Sequence, residues 1–313
     1  MSAKRLDDLR SVDPVLTTLA QMHKNDLYLS EKLFPTVKVK KTKGKIPVFG
    51  KEAFIARDTS RAIRSDSNRI PASDFSLLTY ETQEQDLEMA IDYLETSQSN
   101  NYDKYEQIIT KQLWDSLALN REIEICNYLQ DTNNYNIGNI TEISEDKALN
   151  NASSDLNPIE LIAETKEKVR LLSGANPNTL ILNQKTLNYI RSSQFLKYMS
   201  TSFPNAPRLS LGELAEQLNI ENLIINTAVY TENNRDYKNL WGNNILLTFS
   251  NNGANQVNSE TPKLGYIMQL DGMPEVDTYY ENGGKIKVIR CTDNFCWKVT
   301  MPEAGHLITN IIV

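Results

Sequence analysis

The chain has 313 residues, 40% hydrophobic and 23% charged, with a formal net charge of −7. That length suits about two domains with real cores in a soluble globular protein, and the acidic balance argues against nucleic-acid binding spread over the whole surface. No apolar run reaches the ~18 residues of a membrane span, the opening MSAKRLDDLRSVDP has no apolar signal core, and three cysteines make no disulfide framework, which points to a reducing cytoplasm.

Taken in chain order, residues 1–35 read as an arm carrying a short helix. Val15, Leu16, Leu19 and Met22 fall on helical spacing, and Asp13 can cap them ahead of Pro14 at the first helical position. Leu27, Tyr28 and Leu33 continue the apolar set. Residues 36–57 alternate like a strand, with Val37 and Val39 against Lys38 and Lys40, then Ile46, Val48 and Phe49; Thr42-Lys43-Gly44 supplies a turn. Residues 57–74 are polar and basic. The extended pattern returns over 75–94 with Phe75, Leu77, Tyr80, Leu87, Met89, Ile91 and Tyr93. Together 36–86 form a long excursion whose tip buries little in its own subunit. Ordering it carries a large entropy loss, so it needs a partner surface.

Residues 101–130 predict one long helix. Asn101 can cap it, and Asp103 and Glu106 suit the N-terminal dipole. Tyr105, Ile108, Ile109, Leu113 and Leu117 make an apolar stripe that Leu119, Ile123 and Cys126 continue. Thirty uninterrupted residues make a rod of about 45 Å. A loop with a short strand at 137–143 follows. A helix over 158–173 opens at Asn157-Pro158 and closes at Ser173-Gly174. A strand at 179–182, helices at 184–192 and 210–218, and strands at 223–225 and 245–247 then make a compact α+β or α/β unit. From 264 the chain reads as β. Asn282-Gly283 between VDTYY and KIKVIR signals a hairpin. Asp293-Asn294 is expected to turn KVIRC into FCWKVT, and 306–313 is an apolar strand. The chain leaves one layer near 158 and returns after 262, so the middle unit is an insertion.

Charge is split sharply between neighbours. Residues 36–69 hold ten basic side chains and three acids, a net +7, whereas 81–131 hold twelve acids and three basic residues, a net −9. The first segment reads as an extended hairpin, the second as a long helix. A basic arm beside an acidic spine suggests a subunit that reaches onto copies of itself, and so assembly rather than catalysis.

This order of elements resembles the major capsid proteins of tailed bacteriophages, the Hong Kong 97-type shell fold that encapsulins share. DPVLTTLAQMHKNDLYLSEKLFPTVKV (13–39) resembles their arm and first strand, and GKIPVFGKEAF (44–54) with DTSRAIRS (58–65) their extended loop. NPNTLILNQKTLNYIRSS (176–193) resembles the axial domain and MPEAGHLITNI (301–311) the closing strand. The resemblance implies an α+β chain divided into an N-terminal arm (1–35), an extended β-hairpin loop (36–86), a peripheral domain with the spine helix (87–157), an inserted axial α/β domain (158–261) and a C-terminal β segment (262–313). It implies self-assembly into hexamers and pentamers of an icosahedral head enclosing double-stranded DNA. Assembly would take place in the host cytoplasm, and the protein would end in the virion. A separate scaffolding protein is implied, or none, because few residues precede the first strand. A portal and a decoration protein would be further partners, DNA contact would be loose, and no membrane is involved. An encapsulin-type compartment shares the fold. A soluble cytoplasmic enzyme is the alternative from another class, and it requires a pocket of converging polar groups.

In that family the loop lies across the spine region of an adjacent subunit. Here Lys38, Lys40, Lys41, Lys43, Lys45, Lys51, Arg57, Arg61, Arg64 and Arg69 would face Glu81, Glu84, Asp86, Glu88, Asp92 and Glu95 of a neighbour. Each exposed pair is worth only ~0.2–1 kcal/mol, but many together can set register and orientation. Direct nucleic-acid recognition by the loop is disfavoured, since only Phe49 and Phe54 interleave its charges and the rest of the chain nets −14.

Nothing points to chemistry. His23 and His306 have no second ligand at metal spacing. Cys291 and Cys296 flank the expected turn, where they could face each other, and with Cys126 they make no zinc motif. No G-x-S-x-G, Walker A or dinucleotide fingerprint occurs. Trp114, Trp241 and Trp297 read as core or interface anchors. No catalytic, cofactor or metal residue is expected.

Overall fold

A computed structural model describes residues 11–23, 25–48, 55–69, 76–98, 102–151, 153–196, 209–233, 235–250 and 263–312. The arm begins with α1 (Pro14–Met22), capped by the Asp13 carboxylate, which accepts from the N–H groups of Val15 and Leu16. Only one line of this short helix is covered: Leu16 and Ala20 are buried, while Val15 and Met22 of the expected stripe are 67% and 75% exposed. A one-turn helix, α2 (Ser30–Leu33), follows. Then β1 (Thr36–Val39) pairs in parallel with β11 (Gly265–Leu270).

The chain bends at 40–42, two residues before the expected turn at 42–44. Lys43 and Gly44 already belong to β2 (Lys43–Val48), which leaves the sheet to pair antiparallel with β3 (Ser76–Glu81). The hairpin is therefore β2 with β3, and β1 lies outside it. Next, β4 (Gln83–Asp92) pairs along ten residues with β13 (Ile286–Val299). After the short α3 (Tyr93–Gln98) comes α4 (Tyr102–Gln130), 29 residues long. The expected cap Asn101 and the side chain of Asp103 lie outside the described part. Glu106 instead pairs with Lys287 of β13 at 2.5 Å. The helix buries Ile109, Leu113, Leu117, Ile125 and Leu129, whereas Ile108 is 60% exposed. Ile109, Leu113 and Leu117 share a cluster with Leu16, Ala20, Ile91, Val276 and Ile289, so the long helix and α1 cover one face of the first sheet.

That sheet runs β1-β11-β13-β12, with β4 on the other side of β13. The hairpin expected at Asn282-Gly283 is present between β12 (Glu275–Glu281) and β13. Asn282, Gly283 and Gly284 all have left-handed φ (49°, 68° and 89°), which suits Asn and Gly. The expected turn at Asp293-Asn294 is absent. Both residues lie inside β13, held by β4 through Asp293↔Gln85 and Asn294↔Glu84. Tertiary pairing and burial override the local turn preference there. One consequence is that Cys291 and Cys296 differ in parity and lie on opposite faces of the strand. Cys291 belongs to the cluster beneath the long helix and Cys296 to the cluster beneath the loop root.

The inserted segment supplies α5 (Pro158–Ser173), capped by Asn157 and closed by Gly174 at φ 73°. It continues with β6 (Thr179–Asn183), α6 (Gln184–Ser192), α7 (Leu211–Gln217), β7 (Asn222–Asn226), a small ribbon of β8 (Val229–Tyr230) with β9 (Lys238–Asn239), and β10 (Ile245–Thr248). The second sheet, β5-β14-β10-β6-β7, draws two strands from outside 158–261: β5 (Ile140–Glu142) and β14 (Gly305–Thr309). The last strand, expected in the closing β segment, pairs with β10 of the inserted segment. Strands β6, β10 and β14 are buried along their whole lengths, so they read as continuous apolar runs. A third cluster, with Phe34, Ile125, Leu129, Ile181, Trp241 and Phe295, joins the two sheets.

Candidate assembly interface

The loop is a two-stranded ribbon anchored on the sheet face away from the long helix. Val37, Val39, Ile46, Tyr80, Tyr266, Met268 and Cys296 pack together at its root. The Tyr80 ring lies over Gly44, where a Cβ would stand 2.6 Å from the phenol oxygen, so the root accepts no side chain there without moving that ring. Beyond the ribbon, residues 58–69 are fully exposed. Asp58 accepts from the Ser60 N–H and hydroxyl, and the Asn68 amide donates to the carbonyls of Asp58 and Ser60. These local bonds shape the tip but tie it to nothing else: among the described residues, 58–69 hydrogen-bond only to one another. Ile63 is 94% exposed between Arg61 and Arg64.

The ten expected basic residues divide into groups. Lys38 is held by its own body, its ammonium donating to Gln269 Oε1 (2.6 Å) and the Met273 carbonyl (2.5 Å). Lys43 pairs with Glu81 of the same ribbon at 2.7 Å, with both side chains largely exposed. Lys51 lies outside the described residues. Arg57 is half-exposed. Lys40, Lys41, Lys45, Arg61, Arg64 and Arg69 are exposed and form no ion pair among the described residues.

Of the acids expected as the acceptor set, Glu81 lies on β3, Glu84, Asp86, Glu88 and Asp92 lie on β4, and Glu95 lies in α3. Glu84, Asp86, Glu88 and Asp92 alternate along β4 on the face opposite Met89 and Ile91, which pack under the long helix. The same face carries Arg290 of β13, directly opposite both Glu88 and Asp277. Arg290 makes a two-pronged bond to Asp277 of β12 (3.1 and 2.6 Å), a pairing outside the β4 row. The Tyr279 hydroxyl donates to Glu88 at 2.9 Å, and that bond raises the phenol's pKa. Glu81 is taken by Lys43. Asp92 and Glu95 cap the start of α3, accepting from the N–H groups of Leu94 and Asp92 respectively. The part of the predicted acceptor set that stays together and outward is therefore the Glu84-Asp86-Glu88 row.

Sequence reasoning missed a buried polar core behind this surface. Arg121 and Glu122 sit in the second half of the long helix and are buried. Glu122 accepts from the N–H groups of Leu29 (2.5 Å) and Ser30 (2.8 Å) and so fixes the start of α2. Arg121 donates to Glu31 at 3.0 Å, lies 3.9 Å from Asp293, and stacks over Trp114 and Phe295. The signal was available: Arg121 stands four residues after Leu117 and four before Ile125, on the buried line of the helix. Burial holds the Cys126 and Cys291 thiols neutral, the latter pushed up to about 12. Among the described residues no group of three His, Cys, Asp or Glu side chains could hold a metal ion, and no helix is long and apolar enough to cross a membrane.

A phage-related protein from Bordetella bronchiseptica RB50 superposes with a TM-score of 0.76 at 24% identity, over 96% of this chain and 98% of that one. The putative capsid protein of a prophage from E. coli CFT073 gives a TM-score of 0.56 at 12% identity, over 96% and 99%. Arm, loop ribbon, long helix and two sheets in this order are the Hong Kong 97-type fold, the building block of phage capsid shells. No family model matches the chain. The major capsid protein of Burkholderia phage BcepMu, however, is 33% identical over 310 residues, covering 98% of this chain and 99% of the relative. The chain belongs to the phage major capsid proteins, self-associating structural components of the virion.

Proposed function

We propose that this subunit builds hexamers and pentamers of an icosahedral head around double-stranded DNA, and that each copy lays its basic loop on the acidic β4 row of a neighbour. The observation that carries the docking is the pairing of opposites: exposed cations at 58–69, which among the described residues bond only to one another, and an outward row of Glu84, Asp86 and Glu88 on a paired strand. Ile63, flanked by Arg61 and Arg64, adds an apolar anchor that water-exposed charges alone would not supply. Assembly takes place in the host cytoplasm, with a separate scaffolding protein, a portal and a decoration protein as further partners. Contact with DNA is loose, because a net −7 surface repels phosphate.

The test is charge exchange. Lys40, Lys41, Arg61 and Arg64 reversed to Glu yield folded subunits that do not assemble. A second protein with Glu84, Asp86 and Glu88 reversed to Lys fails likewise, and the doubly reversed chain recovers shells. Normal particles from either single set, seen by negative-stain microscopy, would refute the docking.

A further inference from the structure

The buried network does not stop at Arg121. Asp293, itself buried, accepts from the Gln269 amide at 2.7 Å and from the Asn294 N–H at 2.9 Å. Gln269, also buried, then accepts from Lys38 at 2.6 Å. Polar groups thus run from Glu31 in the arm to Arg121 of the long helix, across a 3.9 Å ion contact to Asp293 of β13, and on by hydrogen bonds to Gln269 of β11 and Lys38 of β1. Three residues separate the end of β1 from the loop ribbon.

Such a chain is a poor way to gain stability. Buried ion pairs roughly break even against apolar replacements, because desolvation offsets their attraction. What polar bonds add over apolar contacts is direction. β1 needs direction, because it is a four-residue parallel strand at the edge of its sheet. Its Val37 and Val39 face the loop-root cluster. A slip of two residues along β11 would keep both valines on that face. It would also displace the loop root by about 6.6 Å, two strand residues. Val37 and Val39 alone do not distinguish the two alignments; Lys38 does, together with the buried Phe34 before it, since the Lys38 ammonium meets Gln269 Oε1 and the Met273 carbonyl in one register alone.

We propose that the Lys38–Gln269–Asp293–Arg121 chain is a register lock on β1, which fixes where the extended loop leaves the body and therefore whether it reaches the next subunit. Lys38 is then a positioning residue rather than a docking one. The inference rests on the shell-forming role and is independent of the charge docking, in whose test Lys38 is unchanged.

The experiment uses the full chain with Gln269→Leu, which breaks the lock without altering charge, and with Lys38→Met and Lys38→Arg. The expected result is that Lys38→Met keeps the melting temperature of the wild-type subunit, whereas Gln269→Leu lowers it, because the buried Asp293 carboxylate loses a donor. Hydrogen exchange quickens at the β1 and β11 amides, and the yield of closed shells falls about tenfold, the effect of ~1.4 kcal/mol per docking event. Lys38→Arg, which keeps a donor at that place, restores shells. Wild-type shell yield in both Gln269→Leu and Lys38→Met overturns the lock. So does a loss of shells that merely follows a loss of melting temperature in both, since that describes a stability contact. If Lys38→Met fails while charge reversal at Lys40, Lys41, Arg61 and Arg64 is silent, the lock stands and the docking falls.

Discussion

Two buried ionisable side chains define what single residues do here. Glu122 supplies both carboxylate oxygens to backbone N–H groups of the arm, and Leu29 and Ser30 are themselves fully buried. In Glu122→Leu those donors have no water to turn to. Each orphaned group costs ~1–3 kcal/mol, so a loss of about 3 kcal/mol is expected in urea unfolding. His306 on β14 has Nε2 2.8 Å from the Thr141 hydroxyl, and burial, with the charge of Lys168, pushes its pKa down to about 4. The unfolded chain takes up this proton near ~6.5. Between those values the unfolded state binds more protons, so stability contributed by the neutral ring falls as pH drops from ~6.5 towards 4 and then levels off. His306→Gln should flatten urea midpoints across that window; an unchanged slope would assign it to other groups. Neither role was legible in the sequence. A lone His and a Glu among twelve acids of its segment look like surface residues until the burial of their neighbours is known.

Elements were legible where caps, breakers and period agreed. Helix α5 begins and ends at its Asn157-Pro158 and Gly174 signals, and the long helix runs as far as its unbroken pattern promised. Strand boundaries were less readable, because a strand is completed by partners distant in sequence. Asp293-Asn294 would turn a free chain, yet ten paired residues of β4 keep β13 straight through it. Gly265 shows the same dependence. A Cβ there would stand 2.2 Å from the Phe34 ring and 2.4 Å from the Lys298 carbonyl, the latter backbone in a paired strand. Gly265→Ala must therefore part β11 from β13 or expel the end of the arm. A destabilisation of about 1–3 kcal/mol is expected, with Phe34→Leu in the same chain recovering part of it. Full stability in Gly265→Ala would mean that arm and sheet give way freely.

For the molecule as a whole, the sequence revealed the charge separation and the order of parts, but not which surfaces face outward or which strands share a sheet. An interface of exposed cations and carboxylates is screened by salt, with a Debye length shrinking from ~10 Å at 0.1 M to ~3 Å at 1 M. The onset concentration for shell formation, followed by light scattering, should rise with sodium chloride while the subunit's unfolding midpoint stays put; salt-independent onset would point to a mainly apolar joint. A last consequence concerns how such proteins exchange parts. The second sheet is sewn together from β5, from the inserted segment, and from β14 at the far end of the chain. A recombination event that transplanted 158–261 alone into a distant relative would import three strands of this sheet, of which β10 must pair with a β14 still belonging to the recipient, and Leu246 and Ile308 would meet unfamiliar neighbours. Viable hybrids must inherit the tail together with the insert, so gene mosaics in this lineage should show crossover points outside both.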